Sequence, residues 1–126
     1  MAKAKILIID DEDDIVDTVS FMLRSRGYDV ITASDGSEGL TKAMLEHPDL
    51  ILLDIIMPVM DGFEVCRKMK RDKETSRMPV IMFTARGDNE AVVNAKNVGA
   101  DDYIVKPFNL PTLVTKINKL ITKPNG

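Results

Sequence analysis

Apolar residues in this chain come in two alternating rhythms. Ile6-Leu7-Ile8-Ile9, Leu50-Ile51-Leu52-Leu53 and Val80-Ile81-Met82-Phe83 are unbroken apolar runs. Runs of that kind predict strands buried on both faces, as in a parallel sheet. Residues 28–33 read as a further strand and Tyr103-Ile104-Val105 as a short last one. Between the runs, apolar residues return at helical spacing. Ile15, Val16, Val19, Met22 and Leu23 form the first such set, and Leu40, Ala43, Met44 and Leu45 the second. Phe63, Cys66 and Met69 mark a third helix, Ala91, Val92, Ala95 and Val98 a fourth, and Leu113, Val114, Ile117, Leu120 and Ile121 a fifth. Gly27 and Gly99 close helices. Ser34-Asp35-Gly36-Ser37 is a turn and cap, His47-Pro48-Asp49 breaks the second helix, and the polar stretch 70–77 reads as a loop.

Five strands in strict alternation with five helices predict an α/β fold, a doubly wound five-stranded parallel sheet with helices on both faces. Right-handed crossovers limit its topologies. The flavodoxin-like strand order 2-1-3-4-5 sets strands one, three, four and five side by side. Their carboxyl ends, where open α/β sheets bind ligands, then bring together Asp10, Asp11, Asp54, Thr84 and Lys106.

Packing does not account for three carboxylates at the ends of two buried strands; they suggest a divalent-cation site. Mg²⁺ prefers oxygen ligands and keeps several waters, and Mn²⁺ can substitute for it. A bound Mg²⁺ can hold a phosphoryl oxygen and neutralise charge during its transfer. An aspartate carboxylate can accept phosphate covalently. Lys106 is a compact cation suited to pairing with Asp54 and then with phosphate, and Thr84 supplies a hydroxyl donor. The five residues fit a site that accepts a phosphoryl group and senses that it has done so.

Composition narrows the frame. At 126 residues, with 44% hydrophobic and 29% charged residues, the chain has the make-up of one globular domain. A net charge of -3 gives no basic footprint for nucleic acid. A single cysteine, Cys66, excludes an intramolecular disulfide and suits a reducing compartment. Residues 1–5 run straight into the first strand with no signal-peptide pattern, and no apolar run reaches membrane-spanning length, so a cytoplasmic location is expected.

Four anchors occur in order: Ile9-Asp10-Asp11, Leu53-Asp54 with Met57-Pro58-Val59-Met60-Asp61-Gly62, Phe83-Thr84-Ala85, and Tyr103-Ile104-Val105-Lys106-Pro107-Phe108. Through these anchors and their spacing the chain resembles the receiver domains of two-component response regulators, from about Lys5 to Ile121. The resemblance implies a single receiver domain over 1–126, with a core of about 5–121 and a tail or linker stub at 122–126. It implies that Asp54 is the phosphoacceptor. Asp11 would be the direct Mg²⁺ ligand, Asp10 the acid that binds or orients the metal, and the backbone carbonyl of Ile56 a further ligand. Thr84 and Tyr103 would be the coupled switch pair, and Lys106 the active-site cation, joined to Pro107 by a cis bond.

The resemblance further implies phosphotransfer from a sensor histidine kinase or a phosphotransfer protein, followed by slow self-hydrolysis. The chain would phosphorylate itself weakly from small donors and would not be a metabolic enzyme. Phosphorylation would change the surface of the fourth helix, the fifth strand and the fifth helix, read by a downstream protein or a fused output domain. No direct nucleic-acid contact and no membrane contact are expected. Ile56 offers no polar group to guide an attacking water, and Arg86 can screen the phosphate, so a fairly long-lived phospho-Asp54 is expected. A stand-alone regulator and a receiver excised from a longer protein both remain open.

Plainer readings apply elsewhere. Glu12, Asp13 and Asp14 suit the positive N-terminal end of the first helix. His47 reads as a surface loop residue, Cys66 as an inert core residue, and residues 68–77 as a solvated charge run. A haloacid dehalogenase-like phosphatase needs a second acid at position 56, where Ile56 stands. A flavodoxin-type flavin module needs a phosphate loop where Asp10-Asp11-Glu12-Asp13-Asp14 would repel phosphate. A degenerate receiver would lack one of the parts that this sequence retains.

Overall fold

The computed structural model describes residues 3–85 and 87–121. Its elements alternate throughout: β1 (Lys5–Ile9), α1 (Asp13–Ser25), β2 (Asp29–Ala33), α2 (Gly36–Glu46), β3 (Leu50–Leu53), α3 (Gly62–Arg71), β4 (Val80–Thr84), α4 (Asn89–Asn97), β5 (Asp102–Val105) and α5 (Leu110–Ile121). The strands form one parallel sheet in the order β2-β1-β3-β4-β5, as the alternation predicts.

The pleat sorts each apolar run into two cores, because successive side chains point to opposite faces. Leu7, Ile9, Ile51, Leu53, Val80 and Met82 meet Ala43 of α2, Val65, Cys66 and Met69 of α3, and Ala95 of α4. Ile6, Ile8, Leu50, Leu52, Ile81 and Phe83 meet Val16, Val19 and Leu23 of α1 and Leu113 and Ile117 of α5. Burial of each such Leu or Ile side chain contributes about 1.5–3 kcal/mol. The central strands are therefore held from both sides, and their carboxyl ends have little freedom to move.

Local chemistry starts and stops the helices. The carboxylates of Asp35, Asp61 and Asp88 cap α2, α3 and α4, accepting from the backbone N–H of Glu38 (2.8 Å), Glu64 (3.0 Å) and Ala91 (3.3 Å). His47 is exposed, as expected, and ends α2 in the left-handed region at φ 49°. Helix α3 runs to Arg71, one residue beyond the expected start of the loop. The Lys70 ammonium explains the difference: it donates to the carbonyl of Met78 at 2.8 Å and pairs with Asp101 at 3.1 Å, fastening the helix end to the chain beyond it. Tyr28 stands just before β2 instead of opening it, buried, with its hydroxyl donating to Asn118 at 2.6 Å.

Cys66 lies in the core, where burial pushes its thiol up to about 11, so it stays protonated and inert. Among the described residues no helix is long and apolar enough to cross a membrane. The tail expected at 122–126 lies outside the described residues.

One buried group works against the fold. Ser20 of α1 is 4% exposed, and its hydroxyl has no hydrogen-bond partner among the described residues. An unsatisfied buried hydroxyl costs stability, and alanine is the better helix former. Ser20→Ala is expected to raise the unfolding free energy by about 1 kcal/mol, measured by urea denaturation; a loss of stability would show that the hydroxyl is satisfied in solution.

Candidate functional site

The sheet delivers its polar residues to one end. Asp10 follows β1, and its backbone N–H donates to the Ala33 carbonyl at 3.1 Å. Asp54 follows β3, and its N–H donates to the Ile9 carbonyl at 3.0 Å. Lys106 follows β5, and its N–H donates to the Thr84 carbonyl at 2.8 Å. Each of these three residues is thus the next rung of the sheet ladder, so its backbone is fixed by the sheet.

The side chains converge. Asp10 is fully buried; one carboxylate oxygen accepts from the Glu12 N–H at 2.9 Å and the other from Lys106 Nζ at 2.9 Å. Asp54 is 3% exposed, with Lys106 Nζ 3.7 Å from its Oδ2. Lys106 Nζ also lies 3.7 Å from the Glu12 carboxylate and 4.7 Å from the centroid of the Phe83 ring. The Lys106–Pro107 bond is cis, as the resemblance implied. Thr84 is fully buried at the end of β4. Tyr103 on β5 is half-buried and packs on the core beneath α3 and α4.

A cavity of about 210 Å³ opens over these groups, lined by Asp11, Glu12, Asp54, Ile56, Ala85 and Lys106. The loop that closes one side of it is tightly drawn. The Met60 N–H donates to the Pro58 carbonyl at 2.7 Å across Val59, which sits at φ 69° with its side chain in solvent. A β-branched residue in that region is strained. Gly62 is required by the same loop: its N–H donates to the Ile55 carbonyl at 2.8 Å, and a Cβ there would collide with the carbonyl oxygen of Asp54.

Burial, and then the neighbouring Asp10 carboxylate, push Asp54 up from 3.8 to about 6. The Lys106 ammonium and the backbone N–H groups of Ile56 and Ile55 pull it part of the way back. One ammonium faces three carboxylates, since oxygens of Asp10, Glu12 and Asp54 all lie within 4.8 Å of one another. This is a hard, anionic oxygen set with more negative charge than Lys106 balances, and it fits a divalent cation of the Mg²⁺ kind.

Glu12 is the residue that the sequence reading assigned elsewhere. It occupies the N-cap position of α1 without a side-chain capping bond, and its carboxylate joins the acidic cluster instead. Its place two residues after Asp10, where the chain turns from strand into helix, is the signal that could have pointed there. Asp11 is exposed and lines the cavity, but it is outside that cluster. Arg86 lies outside the described residues. Ile56 is exposed at the cavity and brings no acid to it.

A larger, mostly apolar groove of about 570 Å³ adjoins the cavity and shares Glu12, Ala85 and Lys106 with it. Ile15, Val19 and Met22 of α1 form one wall, and Pro107 and Phe108 the other.

Comparison with known proteins agrees with this arrangement. The family model described as response regulator receiver domain matches residues 6–118. The probable transcriptional regulator ycf27 of Cyanophora paradoxa is 42% identical over 121 residues, which cover 96% of this chain and 49% of that protein. The chain spans about half the length of the curated relatives it matches. Chemotaxis protein CheY4 of Vibrio cholerae is similar in structure, with a TM-score of 0.89 and 39% identity over 94% of this chain and 99% of that one. The receiver domain of sensor histidine kinase PA1611 from Pseudomonas aeruginosa PAO1, which holds a magnesium ion in its active-site cleft, also has a TM-score of 0.89, with 30% identity over 96% of this chain and 99% of that one.

The raised Asp54 makes a pH-dependent stability prediction. Between pH 4 and 6 the folded protein binds more protons at Asp54 than the unfolded chain does, so stability falls as pH rises through that window. Above it, the ionised buried carboxylate is a standing cost. In metal-free buffer at neutral pH, Asp54→Asn is expected to be more stable than the wild type by about 1–3 kcal/mol. That advantage should shrink toward pH 4, and a pH-independent difference in urea midpoints would overturn the account.

Proposed function

This chain belongs to the response regulator receiver domain family, and from that premise we propose that it is a phosphorylation-dependent signalling switch whose acceptor is Asp54. The observation that carries the reading is the placement of Asp54: buried, with Lys106 Nζ 3.7 Å from its carboxylate and bridging to Asp10, and lining the small cavity. A carboxylate oxygen of Asp54 bonds to phosphorus while the bond from phosphorus to the donor nitrogen breaks. The electron pair stays on the imidazole of a sensor histidine kinase or phosphotransfer protein.

Mg²⁺, or Mn²⁺ in its place, would be held by Asp10, Glu12 and Asp54, with Asp11 and the Ile56 carbonyl as further ligands, and supplies charge neutralisation for the transferring group. Lys106 exchanges its bond to Asp10 for one to a phosphoryl oxygen, across a separation from Asp54 of only 3.7 Å. The Thr84 hydroxyl turns to the same group, and Tyr103 follows on the core beside it. The phosphorylated arrangement is thereby favoured in a two-state equilibrium.

The groove along α1 suits the flank of the phosphate donor, because it opens directly into the acceptor cavity. Val92 and Val93 of α4 and Val105 of β5 are exposed apolar residues on elements next to the switch pair, and they suit the downstream contact. The relatives named as transcriptional regulators favour a fused output domain as that partner, and a separate protein target is the second reading. The location follows from the kinase partner and is cytoplasmic.

The test is intact mass after incubation with acetyl phosphate, with and without Mg²⁺, beside Asp54→Asn. A gain of one phosphoryl group that needs both Mg²⁺ and Asp54 is expected. With apolar Ile56 at the cavity, the adduct should decay over minutes or longer, and loss within seconds would refute a long lifetime. A folded wild type that gains nothing from acetyl phosphate or phosphoramidate in excess Mg²⁺ would reduce the chain to a receiver-shaped binding module.

A further inference from the structure

We propose that Phe83 is a positioning residue for Lys106, its ring face holding the ammonium within reach of both Asp10 and Asp54. The proposal rests on the reading of Asp54 as acceptor and of Lys106 as the cation that meets the phosphoryl group. Phe83 is the penultimate residue of β4 and is fully buried in the core beneath α1 and α5. Ile104 of β5 faces the same core, and Lys106 lies two residues further along that alternation. Lys106 Nζ stands 4.7 Å from the Phe83 centroid, well inside the range over which a ring face attracts a cation. Phe108 packs against Phe83 in an edge-type contact, with centroids 6.3 Å apart and planes at 67°, which restrains the ring's tilt.

The ammonium needs such a surface. The Lys106 side chain is 12% exposed, and of its three carboxylate neighbours only Asp10, at 2.9 Å, is within hydrogen-bond length. Attraction to a ring face does not run along a single bond direction. The ammonium can therefore swing from Asp10 toward an oxygen on Asp54 while the ring still faces it. A leucine at 83 would fill the core but offer no such path, leaving Asp10 as the strongest hold on the cation.

The test replaces Phe83 site-specifically with mono-, di- and trifluorinated phenylalanine, which drains the ring face of negative potential while nearly keeping its shape. Phosphorylation rate with acetyl phosphate in saturating Mg²⁺, Mg²⁺ affinity by calorimetry, and thermal midpoint are measured for each. The rate should fall stepwise with fluorine number, by about three- to tenfold at the last step, with affinity and midpoint nearly constant. Phe83→Leu should show a similar fall in rate. A rate indifferent to fluorine number overturns the proposal, whatever Phe83→Leu does to stability. If the wild type takes no phosphate, the proposed function fails on its own account. The NMR signal of the Lys106 ε-methylene group then decides: a change graded with fluorine number supports the contact between ring and ammonium, and an ungraded one overturns it.

Discussion

Two buried carboxylates sharing one ammonium are the constraint around which the rest of this structure is arranged. Asp10 and Asp54 sit at the ends of neighbouring strands, where the sheet ladder leaves their backbones no room to separate. Lys106 reaches both from a third strand end, so the three strands are tied at their carboxyl ends by charge as well as by hydrogen bonds. Taking away the ammonium alone would leave two buried anions facing each other, the costly way to break such a group. The cluster still carries more negative charge than positive, and this imbalance makes the site receptive to a cation and to a group that arrives with one.

The fold was legible because its strands are buried on both faces. An apolar run such as Leu50–Leu53 admits one reading when helical spacing flanks it on either side, and right-handed crossovers with the flavodoxin-like pattern gave the strand order. The gathering of Asp10, Asp54, Thr84 and Lys106 at one end of the sheet was legible for the same reason: each ends or follows an apolar run. Element edges were less so. The end of α3 depends on Lys70 reaching the Met78 carbonyl and Asp101, contacts between segments that no local pattern reveals.

Glu12 and Phe83 show where sequence reasoning stops. An acid at the start of a helix has a sufficient local explanation in the helix dipole, which hides the one hint that Glu12 offers, its place two residues after Asp10. A phenylalanine in a strand has a sufficient explanation in core packing. In both cases the second contact is made by Lys106, and it exists only once the β4–β5 pairing brings that lysine back over the site. Residues with one adequate local reason conceal any further one.

Gly62 links Asp54 to the helix beyond it. Since a Cβ at that position would collide with the Asp54 carbonyl oxygen, the first turn of α3 and Asp54 share a bare backbone contact. The intervening loop is already drawn tight around Val59 and cannot absorb movement cheaply. A displacement of the Asp54 backbone would therefore press directly on the first turn of α3. In mechanical terms the junction is a lever without slack, and its fulcrum is a missing side chain.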